Sequence, residues 1–548
     1  MTTLDGLRPA DLGFSYESYR PEQLEAVEQA LYGDSAVQGL GLPPGAGKSL
    51  VAATIAKLGL PGRTLILTST KGLEDQYLKD FRNHLVDVRG QVNYPCPMAR
   101  TCEDGRPMGC GCANPEGYVA AVQQAAAAPV VLSNYSYWLA AGIKAIGNFD
   151  TLILDEAVHA VKHLANHLRI AIDDRELHLL RIVTVPPKTG NLTDWQHWVA
   201  QIRPLARIAI QDLSVRALTP TGTDRLKRWK RLEEKLARFP VPLPGKTKVE
   251  WVFEYEASTP AGRTWTWDVI SPKKYTGLLI QGVQRVVLMS ATLKKRTLEE
   301  LGLQGQFTEW GRIFPAERSP VYLCPPRSNG KAVRVDRRTS EEELAIWVRH
   351  IDKIIGARLD RKGLIHTVSY ARQQFLLQHS QHARFMIANT TDPDSDTASE
   401  AADKFRKAAA PAILVSPSFG TGWDFPASQC EFIIVAKVPF QPSQSPLAKA
   451  KTRYDPDWMN AEALQELAQS TMRGMRSETD QCEVFITDAH LSWLLGKNRE
   501  LAPRWFSQSV FSVSAIPKPL TKLPERTPRK DIADDDSLDK REALGMDE

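Results

Sequence analysis

The chain has 548 residues, 43% of them apolar and 24% charged, with a formal net charge of +5. That length exceeds what one hydrophobic core serves, so about three or four domains are expected, of ordinary globular composition. The charge permits a local basic groove without demanding one, no apolar run approaches bilayer length, and the N-terminus lacks an apolar signal region, so the cytoplasm is the default. Seven cysteines, an odd and small number, argue against a disulfide framework.

Taken in order, Tyr19-Arg20-Pro21-Glu22-Gln23 opens a helix predicted over 21–31, with Leu24, Val27 and Leu31 on one face. A Gln just upstream of a phosphate loop has the donor–acceptor pair that reads the N6/N7 edge of adenine. The phosphate loop is the stretch 40–49, LGLPPGAGKS. Pro44, Gly45, Ala46 and Gly47 form its turn, and its glycines let successive N–H groups point at a phosphate. Lys48 reaches the β- and γ-phosphates, and the Ser49 hydroxyl holds Mg²⁺. Leu42 stands where the usual loop begins with Gly.

Five short apolar runs then each end on a small or charged polar group. They are 64–67 before Thr68-Ser69-Thr70, 151–154 before Asp155-Glu156, 285–289 before Ser290-Ala291-Thr292, 363–365 before His366-Thr367, and 412–415 before Ser416. Continuous apolar runs of this length suit strands buried on both faces of a parallel sheet. In open α/β sheets ligands sit at the carboxyl ends of the strands, so these polar groups are expected to line one crevice. Asp155 is placed to hold Mg²⁺ and Glu156 to orient or deprotonate the attacking water.

Eight stretches in this order resemble the motifs of superfamily 2 helicases of the XPD/DinG group: 19–23, 42–49, 68–76 (TSTKGLEDQ), 155–157, 290–292, 362–370 (KGLIHTVSY), 416–425 (SPSFGTGWDF) and 469–480 (QSTMRGMRSETD). The resemblance implies two RecA-like parallel-sheet motor domains closing on ATP. In the last motif it assigns Gln469, Arg473 and Arg476 to the catalytic set, two guanidinium forks that stabilise the charge spreading over the transferred phosphoryl group. It places Asp424 beside the ribose or a motif arginine. Thr70, Tyr135, Thr367, Thr421 and Trp423 are expected on nucleic acid, Tyr135 with Tyr137 and Trp138 as stacking residues. Two residues depart from the pattern: Val158 stands where the Asp-Glu-Ala-His box has His, with His159 following, and Met472 stands where Gly precedes the first arginine.

Cys96, Cys102, Cys110 and Cys112 occupy the place where XPD and DinG proteins carry a 4Fe–4S cluster. Four thiolates of this spacing hold a cluster or zinc, and a metal-free insert is the third reading. After the Asp-Glu box, 159–238 has helical spacing, and 225–238 surrounds Trp229 with cations, as a solvated face over a core strip or a phosphate-contacting face. By resemblance this is the arch. The alternating aromatics of 250–270 form a hairpin read as packing in the return to the first motor domain.

The expected fold class is therefore α/β, two RecA-like parallel-sheet domains with a cysteine-rich insert and a mainly helical arch insert in the first. The first motor domain takes 1–90, 131–160 and 249–304, the cysteine insert 91–130, the arch 161–248, the second motor domain 305–516, and a disordered tail 517–548. The expected function is an ATP- and Mg²⁺-dependent translocase and helicase on single-stranded and forked DNA, monomeric, 5′ to 3′ by resemblance. The alternatives are an ATPase clamp that remodels nucleic-acid complexes without separating strands, and an RNA-directed helicase.

Overall fold

The computed structural model describes residues 4–110, 117–215, 218–239, 250–390, 396–417, 425, 429–475 and 480–522. Its framework is two seven-stranded sheets. The first uses β1 (Val37–Gly41), β2 (Thr64–Thr68), β3 (Val86–Asp87), β4 (Val130–Asn134) and β5 (Thr151–Asp155). Between these and the rest of the sheet the chain builds β6 (Ile170–Asp173), β7 (Trp251–Thr259) and β8 (Gly262–Val269), then returns with β9 (Arg285–Met289) and β10 (Gln306–Glu309). The order is β10-β1-β9-β5-β2-β4-β3, parallel throughout.

The second sheet begins with β11 (Val321–Leu323). A short antiparallel pair, β12 (Arg327–Ser328) and β13 (Lys331–Ala332), stands apart from it. Then come β14 (Lys362–His366), β15 (Met386–Ala388), β16 (Ala412–Ser416), β17 (Phe432–Val435), β18 (Glu483–Ile486) and β19 (Val510–Ser512). Its order is β15-β16-β14-β17-β18-β11-β19, again parallel.

Both sheets are covered on both faces, which is why their strands read as unbroken apolar runs. The period of two decides which face each side chain serves. Ile66, Ile153 and Val287 pack under the helices Pro21–Tyr32 and Lys48–Leu58, while Leu65, Leu67, Leu152, Leu154 and Leu288 fill the opposite core. In the second sheet Leu364, Leu414 and Ile433 serve one core and Ile365, Ile413 and Ile434 the other. The second lobe also buries an ion pair: Arg358 Nε and Nη2 donate to the two carboxylate oxygens of Glu483 at 2.9 and 2.8 Å, with both side chains inaccessible.

Three expected placements differ. The edge strand β10 pairs with β1, so the first sheet extends past residue 304. The aromatic hairpin β7–β8 joins β6 in a separate three-stranded antiparallel sheet rather than the motor sheet. Its alternation fixed a half-buried strand but could not say against what; the answer is the helix Leu192–Ser214, whose Trp195 stacks 5.8 Å from Phe239 and meets Trp267 edge-on at 5.8 Å. Finally, 517–522 run along the second lobe, where the carbonyls of Pro517 and Leu520 accept from Arg358 and Arg361, while 523–548 lie outside the described residues.

The cation-rich stretch is the helix Pro220–Ala237, with Leu226, Trp229, Leu232 and Leu236 on its buried face. Several of its cations meet carboxylates. Lys227 pairs with Asp104 and Glu103, Arg231 with Glu103, and Lys235 with Glu176. The first three of these contacts tie the helix to the cysteine region. No helix among the described residues is long and apolar enough to cross a membrane.

Candidate nucleotide site between the lobes

The loop after β1 turns through two residues in the left-handed region, Gly45 at φ +75° and Gly47 at φ +71°. Neither position has room for a side chain: a Cβ at Gly45 would collide with the Phe314 ring and one at Gly47 with the Gln23 amide. Leu42, at the position usually held by Gly, is buried in the core beneath the loop. The helix Lys48–Leu58 starts at once, so the loop N–H groups and the positive helix end face the same space. Arg20 Nη1 donates to Gly45 O at 2.6 Å, and Gln23 Nε2 donates to Ala46 O at 2.8 Å. Gln23 Oε1 also accepts from Arg20 N at 2.9 Å. One end of the Gln23 amide is therefore spent on the loop and the other on capping its own helix, rather than on a base edge. Tyr19 hydrogen-bonds Thr54 at 2.7 Å behind it.

A cleft of about 470 Å³ opens over this loop. Pro44, Gly45, Gly47, Lys48, Ser49, Thr70, Asp155, Glu156 and His159 line it from the first lobe, and Gln469, Met472 and Arg473 from the second. A continuous polar path crosses it. Lys48 Nζ lies 3.5 Å from Glu156 Oε1, and Ser290 Oγ donates to Glu156 Oε2 at 2.7 Å. Thr292 N donates to Ser290 Oγ at 3.3 Å, and Gln469 Nε2 reaches Thr292 Oγ1 at 3.3 Å. Four of the resembling stretches thus meet in one network spanning both lobes.

Asp155 is fully buried at the end of β5, its Oδ2 accepting from Tyr77 Oη at 2.8 Å and its Oδ1 from Glu156 N at 2.9 Å. Burial, then the neighbouring Glu156 charge, pushes its carboxyl up to about 6, against the pull of Lys48. Glu156 itself sits at φ +50°, which is costly for a residue with a Cβ and bends the chain straight into the short helix Ala157–His159. That turn answers the Val158 departure. Val158 is buried, and the next residue, His159, takes the position in the cleft, its imidazole held below its ordinary value by burial against the Glu156 charge. Arg473 is half-buried at the opposite wall, where loss of solvation lowers its pKa and Glu156 opposes the shift.

The nucleic-acid assignments fare differently. Tyr135 is completely buried; its hydroxyl donates to Asp155 O at 3.0 Å and its ring stacks on His163 at 5.0 Å. Tyr137 and Trp138 are buried too, with Trp138 Nε1 bonded to Leu279 O at 2.7 Å. These aromatics are core, not a stacking surface, because the helix Tyr135–Ala140 lies under the sheet. Thr367 is likewise inaccessible, its N–H on Ser416 O. Thr70 caps the helix Lys71–Phe81 through Leu73 N and borders the nucleotide cleft. Arg476, Asp424, Thr421, Trp423 and Cys112 lie outside the described residues. The residue most plainly missed is Tyr77, whose position one helix turn after Leu73 carried no signal beyond an apolar face.

Of the cysteines, Cys96 and Cys110 flank Gly105, and Cys102 Sγ faces Pro95 O at 3.7 Å. Among the described residues no group of three or more His, Cys, Asp or Glu is placed to hold a metal ion.

Residues 357–509 match the family model for the helicase C-terminal domain. Over the whole chain the fold is similar to an XPD helicase structure, with a TM-score of 0.61 at 14% identity, covering 90% of this chain and 100% of that one. It is also similar to an XPD structure without ligand (TM-score 0.55, 14% identity) and to S. tokodaii Xpd4 (TM-score 0.56, 12% identity), each with 90% and 100% coverage. No curated protein sequence matches the chain. The chain thus shares its overall fold with these XPD structures, and within its second lobe residues 357–509 are similar to the helicase C-terminal domain. A phosphate loop facing a strand-end Asp is the general arrangement that holds Mg²⁺ against a nucleoside triphosphate. The donor set fits Mg²⁺: one buried carboxylate, Asp155, and the Ser49 hydroxyl, with the remaining oxygens left to phosphates and water.

Proposed function

We propose that this chain is an ATP-driven translocase on single-stranded DNA that separates duplex strands, moving 5′ to 3′. The observation that carries the reading is the cleft that sets Lys48 and Glu156 of one lobe against Gln469 and Arg473 of the other. In this reading Lys48 and the loop amides grip the triphosphate, and Ser49 and Asp155 hold Mg²⁺, which supplies neutralising charge at the phosphate oxygens. Glu156, fixed by Ser290 and Lys48, orients the attacking water. Arg473 covers the charge that develops on the transferred group, with Arg476 as its proposed companion. Because these groups come from two bodies, the site is complete only when the lobes close, and hydrolysis loosens that closure.

A path for the strand is supported by a groove of about 850 Å³ on the second lobe, lined by Arg337, Arg338, Arg372 and Lys437 at the carboxyl ends of β14 and β17. Fixed cations of this density suit a phosphate backbone. Beside it Val368 is held at φ +63°, a strained conformation for a β-branched residue. Thr70, Thr421 and Trp423 complete the proposed contacts. A 4Fe–4S cluster or zinc at Cys96, Cys102, Cys110 and Cys112 forms no step of this proposal.

The test is strand displacement on 5′-tailed, 3′-tailed and forked duplexes, with single-stranded DNA and matched RNA compared as stimulators of ATP turnover. Unwinding of the 5′-tailed DNA that vanishes in Lys48→Ala is the expected outcome. Turnover without unwinding would make the chain a clamp, preferential stimulation by RNA would redirect the substrate, and turnover indifferent to Lys48→Ala would end the enzymatic reading.

A further inference from the structure

Directly behind the nucleotide cleft lies a second cavity between the lobes, of about 490 Å³, walled by charges of both signs. Lys162 and Glu300 come from the first lobe, and Lys451, Asp455 and Glu462 from the second. Lys162 Nζ meets Glu462 Oε2 at 2.9 Å. Arg296 pairs with Asp455 across the gap while its Nε donates to Glu300 on its own helix at 3.0 Å. Such balanced walls give a phosphate backbone no net attraction, so this is not a second nucleic-acid groove.

Where these residues stand along the chain is what gives them a role. Lys162 is on the helix Ala160–Leu168, which follows the Asp155–His159 turn without a break. Arg296 is on the helix Lys295–Glu300, just beyond Ser290 and Thr292. Glu462 and Gln469 are both on the helix Trp458–Ser470, seven residues apart in the numbering and so on one face two turns apart. One end of that stretch is docked on the first lobe by Lys162, the other by Thr292. Arg473 enters the cleft one turn further on.

Resting on the proposed ATPase reading, we infer that Lys162–Glu462 and Arg296–Asp455 form a clasp that sets the height and rotation of the helix Trp458–Ser470, and thereby aims Arg473 at the bound triphosphate. These are positioning residues: none lines the nucleotide cleft, and each acts through the helix it holds. Breaking the clasp leaves nucleotide binding to the loop of the first lobe intact and removes the alignment that the transfer step needs.

The experiment measures kcat and KM for ATP, with single-stranded DNA present, in full-length Lys162→Glu, Glu462→Lys and the double reversal, alongside Lys48→Ala. Each single reversal is expected to lower kcat about tenfold with KM for ATP and melting temperature little changed, and the double reversal to recover most of the loss. Singles within about twofold of the parent, or a folded double reversal no faster than the slower single, would overturn the clasp. Should a reversal fail to fold, the neutral Lys162→Met and Glu462→Gln and their double variant serve instead. Non-additive losses in kcat support the clasp, and additive losses overturn it. If Lys48→Ala turns over ATP normally, the ATPase reading falls and the clasp falls with it; if Lys48→Ala is silent and the reversals are not slowed, only the clasp falls.

Discussion

The first lobe delivers its groups to the cleft on backbone turns, the second on a helix. Glu156 and Ser290 are each the first residue beyond a strand of the central sheet, and Lys48 follows the loop after β1, at turns where Gly45, Gly47 and Glu156 take left-handed conformations. Such positions are fixed by the sheet register and by buried partners such as Tyr77 on Asp155. Gln469 and Arg473 instead lie at and beyond the end of the helix Trp458–Ser470, held to the first lobe by a few polar contacts. A helix can slide or rotate as a body while a strand-end turn cannot. Under the proposed function, that difference gives the grip to the first lobe and the stroke to the second.

The largest expected effect follows from the grip. Lys48→Ala should lower turnover by at least about a hundredfold and weaken nucleotide binding, since both the charge and the Glu156 contact are lost. Isothermal titration with a non-hydrolysable analogue checks the binding half. A smaller effect concerns the strand path on the second lobe. Arg337→Glu with Arg338→Glu should raise the DNA concentration needed for half-stimulation by roughly tenfold and flatten its salt dependence, with unstimulated turnover little changed. An unaltered salt slope would place the strand elsewhere.

The smallest effect is one of stability within the first lobe. Glu74 is buried, its Oε1 accepting from Asn134 Nδ2 at 3.0 Å and its Oε2 3.4 Å from Arg89 Nε. Burial raises its carboxyl to about 7, more than Asn134 and Arg89 lower it. The folded state therefore binds the proton more tightly than the unfolded chain. Stability from this group is present below the ordinary value of 4.5 and is lost as pH rises through about 7. Glu74→Gln should gain about 2 kcal/mol over the parent at pH 8 and little at pH 5, read from urea unfolding at the two pH values. Equal gains at both would show that Glu74 is charged throughout.

The same contrast explains what the sequence revealed. Strands buried on both faces announce themselves as unbroken apolar runs, and the chemistry at their ends follows from topology. So Lys48, Asp155, Glu156 and Ser290 were legible before any coordinates. The five runs pointed to parallel sheet and a crevice at its strand ends, and the two-lobed frame came from the resemblance of the motifs. What stayed hidden was any distinction made only by tertiary packing. Tyr135, Tyr137 and Trp138 look alike as stacking platform or core, and only the sheet lying over them decides. The hairpin β7–β8 showed its alternation but not its partner, which is Trp195 on a helix more than fifty residues earlier in the chain. Strand β10 is four residues long and three of them are polar, below what periodicity detects. The Gln23 amide carried a plausible ligand role, yet the nearest acceptor is the loop itself. The cysteine window gave four thiols their places along the chain but not their arrangement in space, and Cys112 lies outside the described residues.

The account depends on Arg473 acting on a triphosphate held by the other lobe. The direct measurement is single-turnover ATP hydrolysis by Arg473→Lys at saturating single-stranded DNA, with binding of the same nucleotide followed separately. Binding within a few-fold of the parent and a hydrolysis rate lower by at least about a hundredfold is the predicted result, because Lys keeps the charge but not the planar fork. Hydrolysis within a few-fold of the parent would contradict it and leave the second lobe without a part in the chemistry.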